Sequence, residues 1–208
     1  MYLVRTDLAV RPGDIGEFEA GHTRLMEAAK GLPGALGATL LHSYSHINKY
    51  TITARWENAE AAWGFYKSEP FASYIAANPP GRVTVTQNEC YEAVFDVNRE
   101  GATPGEAYCE TLIDWNLDPG AAGAFERSRR EFFEMRKQQT KGFVSSRLRR
   151  SAGTPGKYLV IHIYTDAEAA RSAVASPDLA AWQREHPYSL YAAAPPTIET
   201  FQVVNRIM

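Results

Sequence analysis

Two stretches of the chain carry the same pattern. Residues 56–74 read WENAEAAWGFYKSEPFASY, and residues 164–182 read YTDAEAARSAVASPDLAAW. At one constant offset, each begins with an aromatic residue, continues through Ala-Glu-Ala-Ala and a serine, and ends with an aromatic residue. Self-similarity at a fixed period indicates a structural module that is present twice. We therefore predict two related units of roughly a hundred residues each.

The composition argues against several classes of function. The 208 residues are 45% hydrophobic and 12% aromatic, and the net charge is −2. That charge offers no field to attract nucleic acid or an anionic membrane, and no apolar run approaches the ~20 residues that cross a bilayer. The start of the chain alternates like a strand and lacks signal-peptide features. The expectation is a cytoplasmic protein with no nucleic-acid partner and no membrane partner.

Each copy is predicted to follow the order β-α-β-β-α-β. In the first copy residues 2–10 alternate as a strand, and Asp14 offers an N-cap to an amphipathic helix. A hairpin joins the next two strands, Asn58 offers the N-cap of a second helical segment, and residues 83–97 form a long last strand. The second copy repeats the order from residue 107. This order is typical of the ferredoxin-like fold, an α+β fold with helices on one face of an antiparallel sheet.

The other face of each sheet also needs to be covered. The strand predicted at residues 158–164 is largely apolar on both faces, which favours burial of both. We therefore predict two tandem ferredoxin-like repeats, residues 1–98 and 107–208, that pack sheet to sheet as an intrachain pseudo-dimeric α+β barrel. Residues 99–106 have the Gly and Pro content of a linker. Two repeats that fold as independent beads are the alternative.

A family resemblance lies in the repeated segment. The run ARWENAEAAWGFYKSEPF, residues 54–71, resembles the strand-to-helix signature of the antibiotic biosynthesis monooxygenase superfamily, whose members are dimeric α+β barrels. The resemblance covers both halves of the chain and is more specific around Trp56 than around Tyr164. The superfamily includes monooxygenases that form quinones in aromatic polyketide pathways without a cofactor, and monooxygenases that degrade haem. In the superfamily two single-unit chains usually pair, whereas here one chain would supply both units.

The functional positions of that superfamily are matched only in part. Quinone-forming members have a tryptophan that closes the third strand and an asparagine four residues earlier. The resemblance places Trp56 and Ile52 at these positions in the first copy, and Tyr164 and Val160 in the second. Haem-degrading members use an asparagine, a tryptophan and a histidine. Those three positions hold Thr6, Phe65 and Ile75 in the first copy, and Ile113, Ala173 and Gln183 in the second.

Two histidines are the remaining polar candidates for chemistry. His22 lies on the apolar face of the first predicted helix, and His162 shares a strand face with Tyr158 and Tyr164. A neutral imidazole can take a proton from a phenol or an anthrone; the alternative for each histidine is a core position with a hydrogen bond to a backbone carbonyl. The predicted catalytic residues are His22, Trp56, His162 and Tyr164. The predicted substrate-binding residues are Tyr50, Trp63, Phe65, Tyr158 and Arg147, the last from a basic cluster that is either a solvated strand face or an anion-steering rim.

Three functions stay open from the sequence. The first is a cofactor-independent monooxygenase that oxidises an aromatic or polyketide-type small molecule with O2 in a cavity between sheet and helices. The second is a haem-binding or haem-degrading protein with His22 or His162 as the axial ligand, and the third is a non-catalytic small-ligand-binding barrel. No Gly-rich phosphate loop, nucleophile elbow or metal-ligand motif is present in the sequence, so we predict no metal site and no cofactor other than haem in the second alternative. Association of the chain into homo-oligomers is left open.

Overall fold

The two-unit organisation predicted from the repeat is present in the structure. The computed structural model describes residues 1–103 and 107–207 and divides into two compact units. Unit 1 comprises Met1–Glu92 together with the chain from Val203 onward, and unit 2 comprises Ala93–Gln202. Both divisions fall inside a strand, so two long strands contribute to both units.

Unit 1 follows the predicted order of strands and helices. Its elements are β1 (Tyr2–Val10), a 3-10 turn (Pro12–Asp14), α1 (Ile15–Ala29), β2 (Ala35–Ser43), β3 (Lys49–Trp56), α2 (Ala59–Phe65), α3 (Glu69–Ala77), the first part of β4 (Val83–Asn98) and the last part of β8 (Thr197–Ile207). The hydrogen-bonded strand order is β4-β1-β3-β2-β8. β1 lies antiparallel to both β3 and β4, so it is paired on both of its edges.

Unit 2 repeats this arrangement. Its elements are the last part of β4, β5 (Cys109–Asn116), α4 (Ala122–Gln139), β6 (Phe143–Ser151), β7 (Lys157–Tyr164), α5 (Ala167–Val174), α6 (Pro177–Glu185), a 3-10 turn (Tyr188–Leu190) and the first part of β8. The strand order is β8-β5-β7-β6-β4. β5 takes the place that β1 has in unit 1, antiparallel to β7 and β8.

The repeated Ala-Glu-Ala-Ala run has a packing reason. Gly34 and Gly142, which precede β2 and β6, both have positive φ, at 75° and 78°. A Cβ atom added at either glycine would lie 2.6 Å from the Cβ of Ala61 or Ala169, the third residue of each run. The helix after β3 or β7 therefore packs directly on the glycine backbone, which requires small residues on both sides.

The caps of α2 and α5 also repeat. Asn58 caps α2 as predicted, accepting a backbone hydrogen bond at 2.9 Å, and Asp166 caps α5 in the same way at 2.7 Å. Asp14 occupies the N-cap position of α1, but its side chain makes no capping hydrogen bond. The prediction of a capping side chain at Asp14 is wrong, because its carboxylate pairs with Arg11 and Arg82 instead.

The fold class follows from these elements. The α+β fold with two tandem ferredoxin-like repeats is confirmed. The predicted domain limits at residues 98 and 107 stay a prediction, and residues 104–106 of the predicted linker lie outside the described residues. In the part of the chain that the structure describes, every helix is too short or too polar to cross a bilayer.

Candidate functional site

Unit 1 contains a cavity between its sheet and its helices. Its volume is about 330 Å³, at the lower end of the range of small-molecule sites. The floor comes from β1, β2, β3 and β4, and the walls come from α1, from the segment 65–75 and from the turn at residues 79–81. Ile75 and Val85 line the cavity and are also 54% and 59% exposed, so the cavity opens to solvent beside them.

His22 projects from α1 into this cavity. Its side chain is 4% exposed, and neither ring nitrogen has a hydrogen-bond partner among the described residues. Phe18 and Tyr74 flank the ring, with centroids at 5.8 and 5.9 Å. Burial lowers the pKa of His22 to about 4, so the imidazole is neutral at pH 7 and carries a free lone pair. A buried polar side chain without a partner is uncommon in native proteins, which makes His22 a candidate contact for a ligand.

Trp56 and Phe65 form an aromatic wall of the same cavity. Trp56 closes β3 and is 4% exposed, and its ring centroid lies 5.5 Å from that of Phe65. Both were predicted from the sequence as site residues, and the structure brings them together with His22 around one space. Together they offer flat apolar surfaces against which an aromatic ligand can stack.

Two other predicted substrate-binding residues do not line the cavity. Tyr50 is fully buried beside Phe18, with ring centroids 5.0 Å apart, and its hydroxyl donates to Glu19 at 2.6 Å. It therefore supports the base of α1 instead of facing the ligand space. Trp63 is 53% exposed on the outer side of α2 and contacts the ring of Tyr66 at 5.8 Å. Trp63 and the cavity-lining Phe65 are two residues apart on α2, so the helical period turns their side chains to different sides.

The polar residues that line the cavity and were missed as site residues include Tyr74, Asn78 and a group of three. Thr6 and Asn88 are direct cross-strand neighbours on β1 and β4, and the Thr6 hydroxyl donates to Asn88 Oδ1 at 3.1 Å. Tyr66 follows α2, and hydrogen bonds with Asn88 and Thr6 oppose the upward shift that burial gives to its pKa. Strand alternation could have placed Thr6 on the inner face, but Tyr66 lies in an irregular segment without a period.

Strand register identifies the equivalent positions of unit 2. Ala54 of β3 lies opposite Ala38 of β2, and His162 of β7 lies opposite Ser146 of β6, each next to the same irregularity in register. His162 therefore stands where unit 1 has the small floor residue Ala54. Its Nδ1 lies 2.6 Å from the Ser146 hydroxyl, so this predicted catalytic histidine has a structural partner.

The space above His162 is filled by side chains. Phe132 and Phe133 of α4 contact the His162 ring at 5.8 and 5.3 Å, and Trp182 of α6 contacts Phe132 at 5.5 Å. The guanidinium of Arg129 lies within 5.2 to 5.9 Å of four surrounding ring centroids. These rings belong to Trp115, Phe125, Phe132 and Tyr191. This part of unit 2 is a packed core.

The other predicted residues of unit 2 also have structural contacts. The Tyr164 hydroxyl accepts a hydrogen bond from Arg136 at 2.6 Å, and the Tyr158 hydroxyl donates to Glu126 at 2.6 Å. Burial lowers the pKa of His162 well below its usual value, with Arg136 adding to the effect. Arg147 follows Ser146 in β6 and therefore lies on the sheet face opposite to His162. The structure brings none of these residues to the cavity of unit 1.

Fold and cavity together define a class: duplicated ferredoxin-like proteins with a small-molecule cavity beneath the helices. The sequence matches the family model of antibiotic biosynthesis monooxygenases over residues 1–77 and again over residues 111–185. These segments include most of the chain, so the protein belongs to this family. No curated protein matches the sequence.

Solved structures show the same fold at low sequence identity. A candidate monooxygenase from Fusobacterium nucleatum superposes with a TM-score of 0.78 at 11% identity, covering 99% of this chain and 93% of that one. An anthrone oxidase-like protein gives 0.70 at 14% identity, with coverage of 99% and 92%. LmHde, a haem-degrading enzyme from Listeria monocytogenes, gives 0.52 at 10% identity, with coverage of 97% and 99%. At these identities the likeness concerns the fold alone.

Proposed function

We propose that the unit 1 cavity binds a neutral aromatic small molecule, and that His22 removes a proton from it so that O2 oxidises the resulting anion without a protein-borne cofactor. The observation that carries this proposal is the buried, unpartnered imidazole of His22 inside a mainly apolar cavity. Family membership supports the reaction type. On this proposal unit 2 is a structural partner without a site of its own, because its equivalent space is occupied.

The proposed reaction balances for an anthrone. His22 takes one proton from the ring CH2 group, and the carbanion gives one electron to O2. Recombination of the two radicals forms a carbon–oxygen bond, and the His22 imidazolium returns its proton to the resulting peroxide anion. The hydroperoxide then loses water to leave a second carbonyl. One oxygen atom of O2 enters the product, the other leaves in water with the two hydrogens of the CH2 group, and the anthrone becomes an anthraquinone. No external reductant is consumed.

The environment of His22 suits a base of this kind. The low pKa keeps the ring neutral and ready to accept a proton at pH 7. Once the ligand becomes an anion, its charge stabilises the imidazolium beside it and raises the affinity of the ring for the proton. The apolar wall that includes Trp56 and Phe65 excludes water, which would otherwise compete for the proton.

The test is protein-dependent oxygen uptake and quinone absorbance with anthrone under air. We expect turnover by the wild type and a loss of about 10²–10⁴-fold in kcat for His22→Gln, the usual contribution of a general base. His46→Gln is the matched control, since His46 is exposed and lies outside the cavity. Oxygen uptake that does not depend on the protein, or a fully active His22→Gln variant, would contradict the proposal. Tight anthrone binding without turnover would instead support a non-catalytic ligand-binding function.

Haem binding has one observation in its favour. The free nitrogens of His22 are of the type that ligates haem iron. The described residues that line the cavity include no lysine or arginine to pair with the propionates, and the volume of about 330 Å³ is small for a macrocycle. The residues therefore do not fit haem, and we expect a hemin titration to show no Soret shift that His22→Gln abolishes.

A further inference from the structure

Helix α3 and the turn after it cover one side of the unit 1 cavity. Phe71, Tyr74 and Ile75 of α3 line the cavity, as does the turn at residues 78–81. Every residue of α3 keeps some exposure, and Ile75 is 54% exposed where the cavity opens. A single helix therefore separates this side of the cavity from solvent. Segments with few buried contacts open locally at low free energy.

The packing between α3 and α1 is also thin. A groove of about 610 Å³ lies between the two helices. Its α1 side includes Gly16, Ala20 and Gly21, which offer little apolar area to bury. Tyr74 and Asn78 line both the groove and the cavity, so the two spaces share a wall. Apolar packing against α1 therefore contributes little to holding α3 in place.

One side chain fastens the end of α3 to α1. The Arg82 guanidinium donates to Asn78 Oδ1 at 3.3 Å, and the Asn78 amide donates to the Tyr74 carbonyl at 2.6 Å. The same guanidinium pairs with Glu17 in the first turn of α1 and lies 3.8 Å from a carboxylate oxygen of Asp14. We call the group of Arg82, Asn78 and Glu17 the latch. It joins two helices that share few other polar contacts.

The latch is connected to His22 through Tyr74. The Tyr74 carbonyl is the group that Asn78 holds, and the Tyr74 ring contacts the His22 ring at a centroid distance of 5.9 Å. An outward movement of the α3 end would therefore take Tyr74 away from His22 and open the space around the imidazole. The return of α3 would bury the imidazole again.

The corresponding helix of unit 2 is held in a different way. Trp182 of α6 has the position in the repeat that Tyr74 has in α3. Its ring packs on Phe132 at 5.5 Å and stacks on His186 at 3.9 Å. Aromatic packing thus fixes α6 on the core of unit 2, whereas an ion pair fastens α3 above a cavity.

We propose that α3 is a lid over the unit 1 cavity, and that the ion pair of Arg82 with Glu17 limits how fast a ligand enters and leaves. A flat aromatic molecule has to pass the opening beside Ile75 and Val85, and movement of α3 widens that opening. The latch stabilises the closed state with and without ligand, so it sets the rates and leaves the affinity unchanged. This inference goes beyond the proposed reaction, because it concerns access and needs no turnover.

The test compares the wild type with Arg82→Gln and Glu17→Gln in the absence of oxygen. Hydrogen exchange of the α3 amides measures opening without a ligand, and stopped-flow quenching of tryptophan fluorescence by anthrone measures association and dissociation. Glu17 is 70% exposed, so its ion pair has the strength of a surface pair. We expect both variants to raise the exchange rate and both binding rates by about two- to fivefold, with Kd unchanged.

Arg11→Gln is the matched control. It removes an exposed arginine that pairs with Asp14 and leaves the contacts of Arg82 in place, so all rates should stay at the wild-type values. Salt provides a further measurement, because it screens an exposed ion pair. An increase in NaCl from about 0.05 M to about 0.5 M should accelerate anthrone association with the wild type and leave Glu17→Gln unaffected.

Several results would overturn the role of the latch. Equal α3 exchange in the wild type and both variants would show that the ion pair does not hold the helix. Faster exchange with unchanged binding rates would make Arg82 a brace that does not control access. A lack of anthrone binding by the wild type would also overturn the inference, since a lid needs a ligand to admit. Latch-dependent binding rates without oxygen uptake would contradict the proposed reaction only.

Discussion

Units 1 and 2 share a frame and differ in what lies under their helices. Tyr50 donates to Glu19 and Tyr158 donates to Glu126, each at 2.6 Å. Gly34 and Gly142 are used in the same way in both. Yet unit 1 keeps a cavity of about 330 Å³, and the same space in unit 2 is a packed aromatic core. The backbone fold that the two repeats share therefore does not determine whether a repeat contains a cavity.

The difference lies in the side chains at equivalent positions. Phe18 packs on Tyr50 at 5.0 Å and Phe125 packs on Tyr158 at 5.4 Å, which aligns α1 with α4. This alignment and the strand registers assign a unit 2 counterpart to each of six unit 1 residues. The pairs, unit 1 first, are His22/Arg129, Leu25/Phe132, Ala29/Arg136, Ala38/Ser146, Ala54/His162 and Tyr74/Trp182. Most changes toward unit 2 add volume. Because an unfilled space lowers the free energy of unfolding, the cavity of unit 1 is a cost in stability that unit 2 does not have.

The largest expected effect is on the core of unit 2. Phe133 is fully buried, and Met26, its counterpart in α1, is 3% exposed but borders the cavity. Phe133→Ala should reduce the free energy of unfolding by about 3–5 kcal/mol. Met26→Ala should reduce it by about 2 kcal/mol, because a side chain that borders a cavity has fewer packing contacts to lose. Urea unfolding measures both, with the exposed Val174→Ala as control. Equal losses for Phe133→Ala and Met26→Ala would mean that unit 1 is packed as tightly as unit 2.

The repeat and the faces of its elements could be predicted from the sequence because each depends on local periodicity. Helical spacing placed His22 on the inner face of α1, and alternation placed Trp56 at the end of β3 with its ring inward. Alternation also put His162 on the correct face. These predictions need only the position of a residue within its own element.

The sequence patterns could not predict which of the two units contains the cavity. The cavity depends on the summed volumes of Ala29, Ala38 and Ala54, which come from three different elements. His162 looked like a site residue because the sequence does not show that Ser146 lies opposite to it. Tyr66 was missed because the segment after α2 has no period. Long-range pairing and packing volume are the information that the sequence patterns lacked.

A second prediction converts the floor of unit 1 into that of unit 2. The double variant Ala38→Ser with Ala54→His rebuilds the Ser146–His162 pair on β2 and β3. We expect anthrone affinity to fall about 10- to 100-fold, because overfilling costs about 1–3 kcal/mol. Isothermal titration measures this loss, and Ala38→Ser alone, a change of one hydroxyl, serves as the matched control. Unchanged affinity in the double variant would place the ligand outside this cavity.

The smallest expected effect is a pH dependence of the free energy of unfolding, to which His22 contributes and its counterpart Arg129 does not. The pKa of folded His22 is about 4, below the ~6.5 of an unfolded chain. Between these values the unfolded state binds a proton that the folded state does not. The free energy of unfolding should therefore fall as the pH is lowered through this window, by at most about 1.4 kcal/mol per pH unit. Arginine at the same position of unit 2 stays charged throughout and adds nothing to this slope.

The measurement is urea unfolding of the wild type and His22→Gln between pH 7 and pH 5. His162 contributes a slope of the same sign to both proteins, because its pKa is also lowered, so the difference between the curves isolates His22. We expect the wild type to lose about 1–2 kcal/mol more than His22→Gln over this range, and the control His46→Gln to parallel the wild type. Parallel curves for the wild type and His22→Gln would show that His22 titrates as in water, which would contradict its burial in the unit 1 cavity.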